Sequence, residues 1–214
     1  MFPLPNLVFF PTTEVPLHIF EPRYREMVGD ALAGPGQLVV VLLKPGWERD
    51  YYGNPETYEV GTLGQITQHQ RLSDGRFNLT LLGLRRVRIA SFVSGKSYRR
   101  ARLLPHEENR PDAGSPQAKE LETRLRHLSA ELLGRVARSQ DKALELPPAA
   151  SLEELVNRLA GTLELPVETK QDLLEQDDLL TRAGALGAIL REQLTLWSSL
   201  SSFRKLSPSD PRLN

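Results

Sequence analysis

A proline at position 22 marks a change from a strand pattern to a helix pattern within a few residues. The segment Thr13 to Phe20 carries β-branched and aromatic residues, which suit a half-buried strand. After Pro22, apolar residues recur from Tyr24 to Leu32 with the spacing of one helical face. Proline is favourable at the first helical position, where the missing N–H has no intrahelical partner. The sequence therefore predicts a strand that leads directly into a short amphipathic helix at about residues 22–33.

Strand patterns continue to about residue 105, separated by glycine-containing turns. Hairpin turns are predicted at Ser73–Gly75 and at Ser94–Gly95. The segment Gln37 to Lys44 has the continuous apolar composition of a fully buried strand. We expect six or so mostly antiparallel strands, with the one early helix, to form a small closed or half-closed β-barrel over residues 1–105.

Residues 106–116 have the composition of a linker, and helix patterns follow over 117–197. Leucines spaced three and four residues apart indicate amphipathic helices that are stable only when packed together. Ser151 with Glu154 three residues later predicts a capping box. Serine and proline are frequent in 198–214, for which we expect a flexible tail. The predicted fold class is α+β, with a mostly antiparallel β-barrel followed by an α-helical bundle.

Composition excludes several classes of protein. The sequence has no cysteine, so disulfide frameworks and thiolate metal sites are excluded. The longest apolar run, Leu38 to Leu43, is far shorter than the roughly 20 residues that a membrane span requires. No positive charge precedes the first apolar residues, which argues against a signal peptide. A cytoplasmic location without membrane contact is the expectation, and nothing in the sequence predicts the oligomeric state.

The charges are unevenly distributed although the net charge is zero. Residues 71–102 contain nine lysines and arginines and one acidic residue, and residues 103–178 contain sixteen acidic and nine basic residues. Strand alternation predicts that Arg86 and Arg88 face solvent while Val87 faces the core. A basic surface of this kind is typical of polyanion binding, although the neutral chain as a whole makes a nucleic-acid partner less favourable. The candidates for this alternative are Arg85, Arg86, Arg88, Arg100 and Arg102.

Several sequence blocks, in the same order, resemble the N-terminal substrate-binding domain of Lon proteases. They are Phe2–Pro5 with Val8–Pro11, Pro16–Tyr24, Gly61–Ile66, Asp74–Leu79 with Gly83–Ile89, and Leu165–Glu175. The resemblance spans roughly residues 2–195. It implies a PUA-like β pseudobarrel followed by helices, and a protein that binds substrates for proteolysis.

The ATPase and protease signatures of Lon are not present in this sequence. A phosphate-binding loop needs the pattern G-x-x-x-x-G-K-[ST], and the partial match Gly95–Ser97 has Ala90 where the first glycine is required. No G-x-S-x-G motif of serine hydrolases occurs either. We therefore expect a free-standing, non-catalytic substrate-binding domain that requires no cofactor.

Binding of an unfolded polypeptide or of a protein partner is the first functional hypothesis. Exposed aromatic side chains beside sheet edges can capture extended segments. A long aromatic loop at 44–56 and the junction between the early strand and helix are suitable places. The candidate residues are Phe20, Arg23, Trp47, Tyr51 and Tyr52.

Other interpretations stay open at this point. The loop aromatics could pack locally, and Arg23 could lie on a solvent-facing side of the helix. The protein could serve as a structural or regulatory partner of the protease machinery, or its barrel could hold a small ligand. The four histidines lie in separate elements, so no metal site is expected. We expect His18 to bond a backbone carbonyl and Glu21 to cap the helix with its side chain.

Overall fold

The computed structural model describes residues 1–112, 114–140 and 149–206. Six strands form one mostly antiparallel open sheet with the order β1-β3-β4-β5-β2, and β6 pairs with the far end of β5. Only the β1–β3 pair is parallel among the pairs in this part of the chain. The strands are β1 (Phe2–Leu4), β2 (Glu14–Ile19), β3 (Gln37–Leu43), β4 (Thr57–Arg71), β5 (Phe77–Val93) and β6 (Arg100–Pro105).

The 17-residue strand β5 organises the sheet, because two other strands share one of its edges. Strand β2 pairs with its first part, from Phe77 to Leu82, and β6 pairs with its last part, from Val87 to Val93. Between them, a Cβ on Gly83 would lie 2.2 Å from the carbonyl oxygen of Phe10. The segment before β2 therefore crosses directly over the middle of β5, where only glycine leaves room for its backbone.

Five α-helices in the described part of the chain accompany the sheet. They are α1 (Pro22–Leu32), α2 (Pro116–Gln140), α3 (Leu152–Thr162), α4 (Val167–Glu175) and α5 (Leu179–Leu206). The predicted start of α1 at Pro22 is confirmed. The Ser151 cap is also confirmed, because its hydroxyl accepts the Glu154 amide at 3.2 Å. Helix α5 continues through Ser198 to Leu206, so the first part of the predicted tail is helical.

The sheet contributes to two large apolar clusters. The first packs α1 against the sheet and includes Met27, Val28 and Leu81. The second joins α2 to α5 with sheet residues such as Phe10 and Val60. The strands and the C-terminal helices therefore share one core, and their division into two subdomains stays a prediction.

Arg86 does not face solvent as the strand alternation predicted. It is 5% exposed, and its guanidinium donates to the carbonyl oxygens of Leu174 and Gln176, each at 2.9 Å, and to Glu108 at 3.2 Å. The neighbouring Val87 is also buried, on the opposite face. The prediction was wrong because the end of α4 covers the sheet face that alternation alone assigns to solvent.

The segment 106–112, predicted to be part of a linker, is attached to the helices. The Glu108 carboxylate is buried and pairs with Arg182 of α5 as well as with Arg86. Asn109 forms a backbone bridge with Asp178, and its side chain donates to the Asp178 carboxylate at 3.0 Å. This segment therefore holds β6 close to the start of α5. Within the residues described, no helix is both long and apolar enough to cross a membrane.

Candidate functional site

A groove of about 990 Å³ separates the aromatic loop from the tip of the β5–β6 hairpin. Residues 51–59 of the loop segment and residues 89–100 of the hairpin line it, together with Pro3, Arg23, Tyr24, Leu43 and Lys44. The two sides come from segments about 40 positions apart in the sequence. We refer to this feature as the loop–hairpin groove.

The loop has a defined local structure. Gly46 adopts a left-handed conformation with φ of 89°, and a 3-10 helix follows over Trp47–Asp50. The Asp50 carboxylate accepts the Asn54 amide at 3.1 Å, and the Asp50 carbonyl accepts the Gly53 amide at 2.9 Å. The loop is therefore an ordered turn that places residues 51–55 at the groove.

The three loop aromatics have different surroundings. Trp47 and Tyr51 are half-buried and meet edge to face with 5.5 Å between ring centroids, and Trp47 does not line the groove. Tyr52 contacts Tyr51 edge to face at 5.2 Å but is 87% exposed and lines the groove. Thus Trp47 and Tyr51 pack locally, and Tyr52 is the aromatic residue of the loop that is free to contact a ligand.

Tyr51 connects the loop to the start of α1 through Glu21. Its hydroxyl donates to the Glu21 carboxylate at 2.7 Å, and Arg23 Nε donates to the same carboxylate at 3.0 Å. Burial raises the pKa of Tyr51 to about 12, and the hydrogen bond to Glu21 contributes in the same direction. The Arg23 guanidinium lies over the rings of Tyr24 and Tyr51, at 4.6 and 5.4 Å from their centroids. Arg23 therefore lines the groove in a fixed position, with its charge paired.

The predicted capping role of the Glu21 side chain is wrong. Its backbone carbonyl accepts the amides of Tyr24 and Arg25, but its carboxylate makes no cap hydrogen bond. The reason is that Tyr51 and Arg23 occupy both carboxylate oxygens.

The hairpin side of the groove contributes two apolar side chains that the sequence analysis did not identify. Phe92 is 62% exposed and Val93 is 37% exposed, and both line the groove. The available signal was the pair of large apolar residues directly before the Ser94–Gly95 turn. Large apolar residues at a hairpin tip have few neighbours to bury them, so they are candidates for contact with a partner.

An ionic cluster, which we call the hairpin clamp, anchors the hairpin tip to α1. Lys96 Nζ lies 2.9 Å from Asp30 and 3.3 Å from Glu26, and Tyr98 donates its hydroxyl to Asp30 at 2.6 Å. Ser97 also donates to Glu26. The partial phosphate-loop match is therefore the turn of a hairpin, and its lysine is engaged by two carboxylates.

Phe20 lies outside the loop–hairpin groove. It is 60% exposed and stacks on His18, with ring centroids 6.3 Å apart. His18 lines a second, smaller groove of about 430 Å³ between β2, β4 and β5. Its Nδ1 is 2.6 Å from the side-chain oxygen of Asn78, so the predicted bond to a backbone carbonyl is wrong. No group of three His, Cys, Asp or Glu suitable for a metal was found over 1–112, 114–140 and 149–206.

The basic segment 71–102 is largely neutralised or dispersed. Arg76, Arg88 and Lys96 pair with carboxylates, and Arg86 is buried. The other three candidates for polyanion binding divide into two groups. Arg100 lines the loop–hairpin groove, whereas Arg85 and Arg102 are exposed outside it.

Comparison with known proteins identifies one family. The model of the substrate-binding domain of the ATP-dependent protease La (LON) matches residues 1–192. Lon protease 2 of Myxococcus xanthus is 26% identical over 204 residues, and Lon protease 2 of Sorangium cellulosum is 29% identical over 198 residues. These alignments cover 94% and 90% of this chain but only 24% of each relative. The chain thus spans about a quarter of the length of the Lon proteases that it matches.

Two solved structures have the same fold. A Lon N-terminal domain protein from Xanthomonas campestris superposes with a TM-score of 0.63 at 23% identity, covering 87% of this chain and 95% of that one. The N-terminal domain of a Mycobacterium avium complex Lon protease gives a TM-score of 0.65 at 18% identity, covering 88% and 95%. The predicted α+β fold is confirmed by these likenesses and by the sheet and helices described above.

Proposed function

The chain belongs to the family of Lon substrate-binding domains, and from that premise we propose that it is a non-catalytic module whose loop–hairpin groove binds polypeptide segments. The resemblance found in the sequence is confirmed by the family match over residues 1–192. The observation that carries the proposal is that Tyr52 and Phe92, the two most exposed large hydrophobic residues in the described part of the chain, line the same groove.

The physical basis is apolar burial without a large rearrangement. Single exposed apolar residues are common on protein surfaces, but several beside one concave surface are typical of a binding site. An aromatic side chain that becomes fully buried contributes about 1.5–3 kcal/mol. Because the loop turn and the hairpin clamp hold the two sides in place, little ordering entropy opposes binding.

The same geometry supports a role without catalysis. The lysine of the partial phosphate-loop match, Lys96, is paired with Glu26 and Asp30. The Glu21 carboxylate is occupied by Tyr51 and Arg23. The proposed partners are unfolded segments of client proteins or a protein of the proteolytic machinery.

Nucleic-acid binding is the less supported alternative. Four of the nine basic residues in 71–102 are paired or buried, which leaves a dispersed set of arginines. Affinity for phosphates depends on many simultaneous cationic contacts and falls steeply with salt.

A binding assay with matched variants tests the proposal. The probe is a fluorescently labelled, unstructured peptide rich in Phe, Leu and Val with serine and glycine spacers. The double variant Tyr52→Ser with Phe92→Ser removes the two most exposed aromatic side chains of the groove, and Phe20→Ser is the control, since Phe20 is about as exposed as Phe92 and lies outside the groove. We expect the double variant to bind about 10–100 times more weakly, the scale of lost aromatic anchors, and the control to bind like the parent.

Two results would contradict the proposal. One is equal binding by the parent and the double variant. The other is a loss of binding in the Phe20→Ser control that matches the loss in the double variant. A titration at increasing salt separates polypeptide binding from nucleic-acid binding. Peptide binding through apolar contacts should persist at high salt, whereas binding to a nucleic acid should collapse.

A further inference from the structure

The loop–hairpin groove contains more basic than acidic side chains. Its lining residues include five basic side chains, namely Arg23, Lys44, Lys96, Arg99 and Arg100, and two acidic ones, Glu56 and Glu59. Three of the basic groups are already neutralised. Arg23 pairs with Glu21, Lys44 with Glu56, and Lys96 with Glu26 and Asp30.

Arg99 is held in place by neutral acceptors. Its Nε donates to the side-chain oxygen of Asn54 at 3.2 Å, and its Nη1 donates to the carbonyl oxygen of Pro55 at 2.7 Å. No described carboxylate lies within ion-pairing distance of it. Burial disfavours the charged form and lowers the pKa of Arg99. The two hydrogen bonds fix the guanidinium at the loop side of the groove.

Arg100 occupies the opposite side, at the start of β6. Its Nη2 donates to the carbonyl oxygen of Ser94, and its buried Nε has no hydrogen-bond partner in the described residues. No carboxylate of that part of the chain forms an ion pair with it. Arg100 is the register partner of Val93, so a cationic group and an exposed apolar side chain stand next to each other.

We infer that the groove selects segments in which an aspartate or glutamate lies next to an aromatic or aliphatic residue. This inference rests on the proposed polypeptide-binding function and specifies its substrate class. A guanidinium held by other hydrogen bonds can offer its remaining N–H groups to a carboxylate with little further loss of entropy. The apolar neighbour then contacts Phe92, Val93 or Tyr52, while the carboxylate forms an ion pair with Arg99 or Arg100, neither of which has one among the described residues.

A peptide series tests the inference. The peptide rich in Phe, Leu and Val described above is made in three forms, with aspartate, asparagine or lysine beside each apolar cluster. We expect the aspartate form to bind about tenfold more tightly than the asparagine form at low salt and the lysine form to bind most weakly, because charged pairs add affinity and like charges oppose it. The ratio between the aspartate and asparagine forms is expected to shrink as salt increases.

Matched arginine variants distinguish recognition by Arg99 and Arg100 from attraction by the overall charge of the protein. The double variant Arg99→Gln with Arg100→Gln is expected to bring the aspartate-to-asparagine ratio close to one. The control, Arg85→Gln with Arg102→Gln, removes the same charge from exposed positions outside the groove and is expected to keep the ratio. Because Arg99 also holds the loop, Arg100→Gln alone is a second test, with an intermediate ratio expected.

The outcomes separate this inference from the function on which it rests. If the asparagine form binds but the aspartate form binds no better, the selectivity is overturned and the polypeptide-binding proposal stands. If the control pair lowers the ratio as much as the groove pair, the preference comes from overall charge and the assignment to Arg99 and Arg100 is overturned. If none of the three peptides binds, both proposals fail.

Discussion

The hydroxyl of Tyr51 donates a 2.7 Å hydrogen bond to the carboxylate of Glu21, joining the aromatic loop to the first turn of α1. The two residues are 30 positions apart, and Arg23 completes the contact by pairing with the same carboxylate. This contact positions Tyr52 at the groove, because Tyr52 follows directly in the chain.

Tyr51→Phe should lower stability modestly and loosen the loop. Losing one partly exposed hydrogen bond to a carboxylate is expected to reduce the free energy of unfolding by about 1 kcal/mol, as measured by urea denaturation. Hydrogen exchange at residues 51–55 should increase in the variant. Tyr52→Phe, which keeps the ring at a highly exposed position, is the control and should change neither quantity.

The same residue gives a prediction for alkaline pH. The pKa of Tyr51 is raised to about 12 from its ordinary value of 10.0, so its contribution to stability is fully present below pH 10 and is lost as the pH rises towards 12. An ultraviolet titration of the five tyrosines should contain a transition near pH 12. That transition should disappear in Tyr51→Phe, and its persistence would show that another tyrosine produces it.

The hairpin clamp should be insensitive to pH near neutrality and should open only in acid. Hydrogen bonds from Ser97 and Lys96 lower the pKa of Glu26, and hydrogen bonds from Tyr98 and Lys96 lower the pKa of Asp30. For carboxyls with lowered pKa values, the stabilisation is present above the ordinary values of 4.5 and 3.8 and is lost as the pH falls below them. Hydrogen exchange in residues 88–104 should therefore be constant from neutral pH to about 5, after correction for intrinsic rates.

Lys96→Met tests the same clamp at neutral pH. It should increase exchange in the hairpin while leaving exchange in α3 unchanged, because α3 packs against α2, α4 and α5. Unchanged exchange in the hairpin would mean that the pairing between β5 and β6 is enough to hold the hairpin in place.

Glu108→Gln should destabilise the protein strongly. Glu108 is the carboxylate that pairs with both Arg86 and Arg182, whose side chains are 4% and 0% exposed. Without it, two buried cations lack an anionic partner, and the loss is expected to be about 3–5 kcal/mol by chemical denaturation. The exposed neighbour Glu107 provides a control, since Glu107→Gln should change stability by less than about 0.5 kcal/mol. A small effect at position 108 would mean that the carbonyls of Leu174 and Gln176 are sufficient partners for Arg86.

Two glycines provide opposite predictions for the same substitution. At Gly83 a Cβ would lie 2.2 Å from the Phe10 carbonyl oxygen, so Gly83→Ala must displace backbone and should cost several kcal/mol or prevent folding. At Gly184 in α5 a Cβ would meet nothing within 4 Å, so Gly184→Ala should stabilise by up to about 1 kcal/mol through helix propensity. Thermal melting of both variants checks the pair, and a stable Gly83→Ala protein would contradict the crossing of β5 by the segment at Phe10.

Local features of the chain were predictable from the sequence. The start of α1 at Pro22, the Ser151 cap and the turn at Gly95 each depend on a few adjacent residues whose backbone preferences or hydrogen bonds operate over one turn. The family was also recognisable, because its blocks occur in order along the chain, and the match over residues 1–192 confirms it. The α+β fold was predicted from the strand and helix patterns and from the family resemblance, and the likeness to two solved structures confirms it.

Other features were decided only by the tertiary structure. Alternation assigned Arg86 to solvent, but the helices cover that face of the sheet, and burial depends on which element packs above a residue. The sequence grouped Trp47, Tyr51 and Tyr52, whereas folding pairs Tyr51 with Glu21 and leaves Tyr52 highly exposed.

The groove itself belongs to this second class. Its two sides are brought together by long-range strand pairing between β4 and β5 and by the hairpin clamp, which no local pattern encodes. By itself the sequence determined where the chain turns, where most helices begin and which family it resembles, because those depend on neighbours along the chain. The tertiary structure decided which aromatic and charged side chains meet at one surface, because that depends on contacts between segments far apart in sequence.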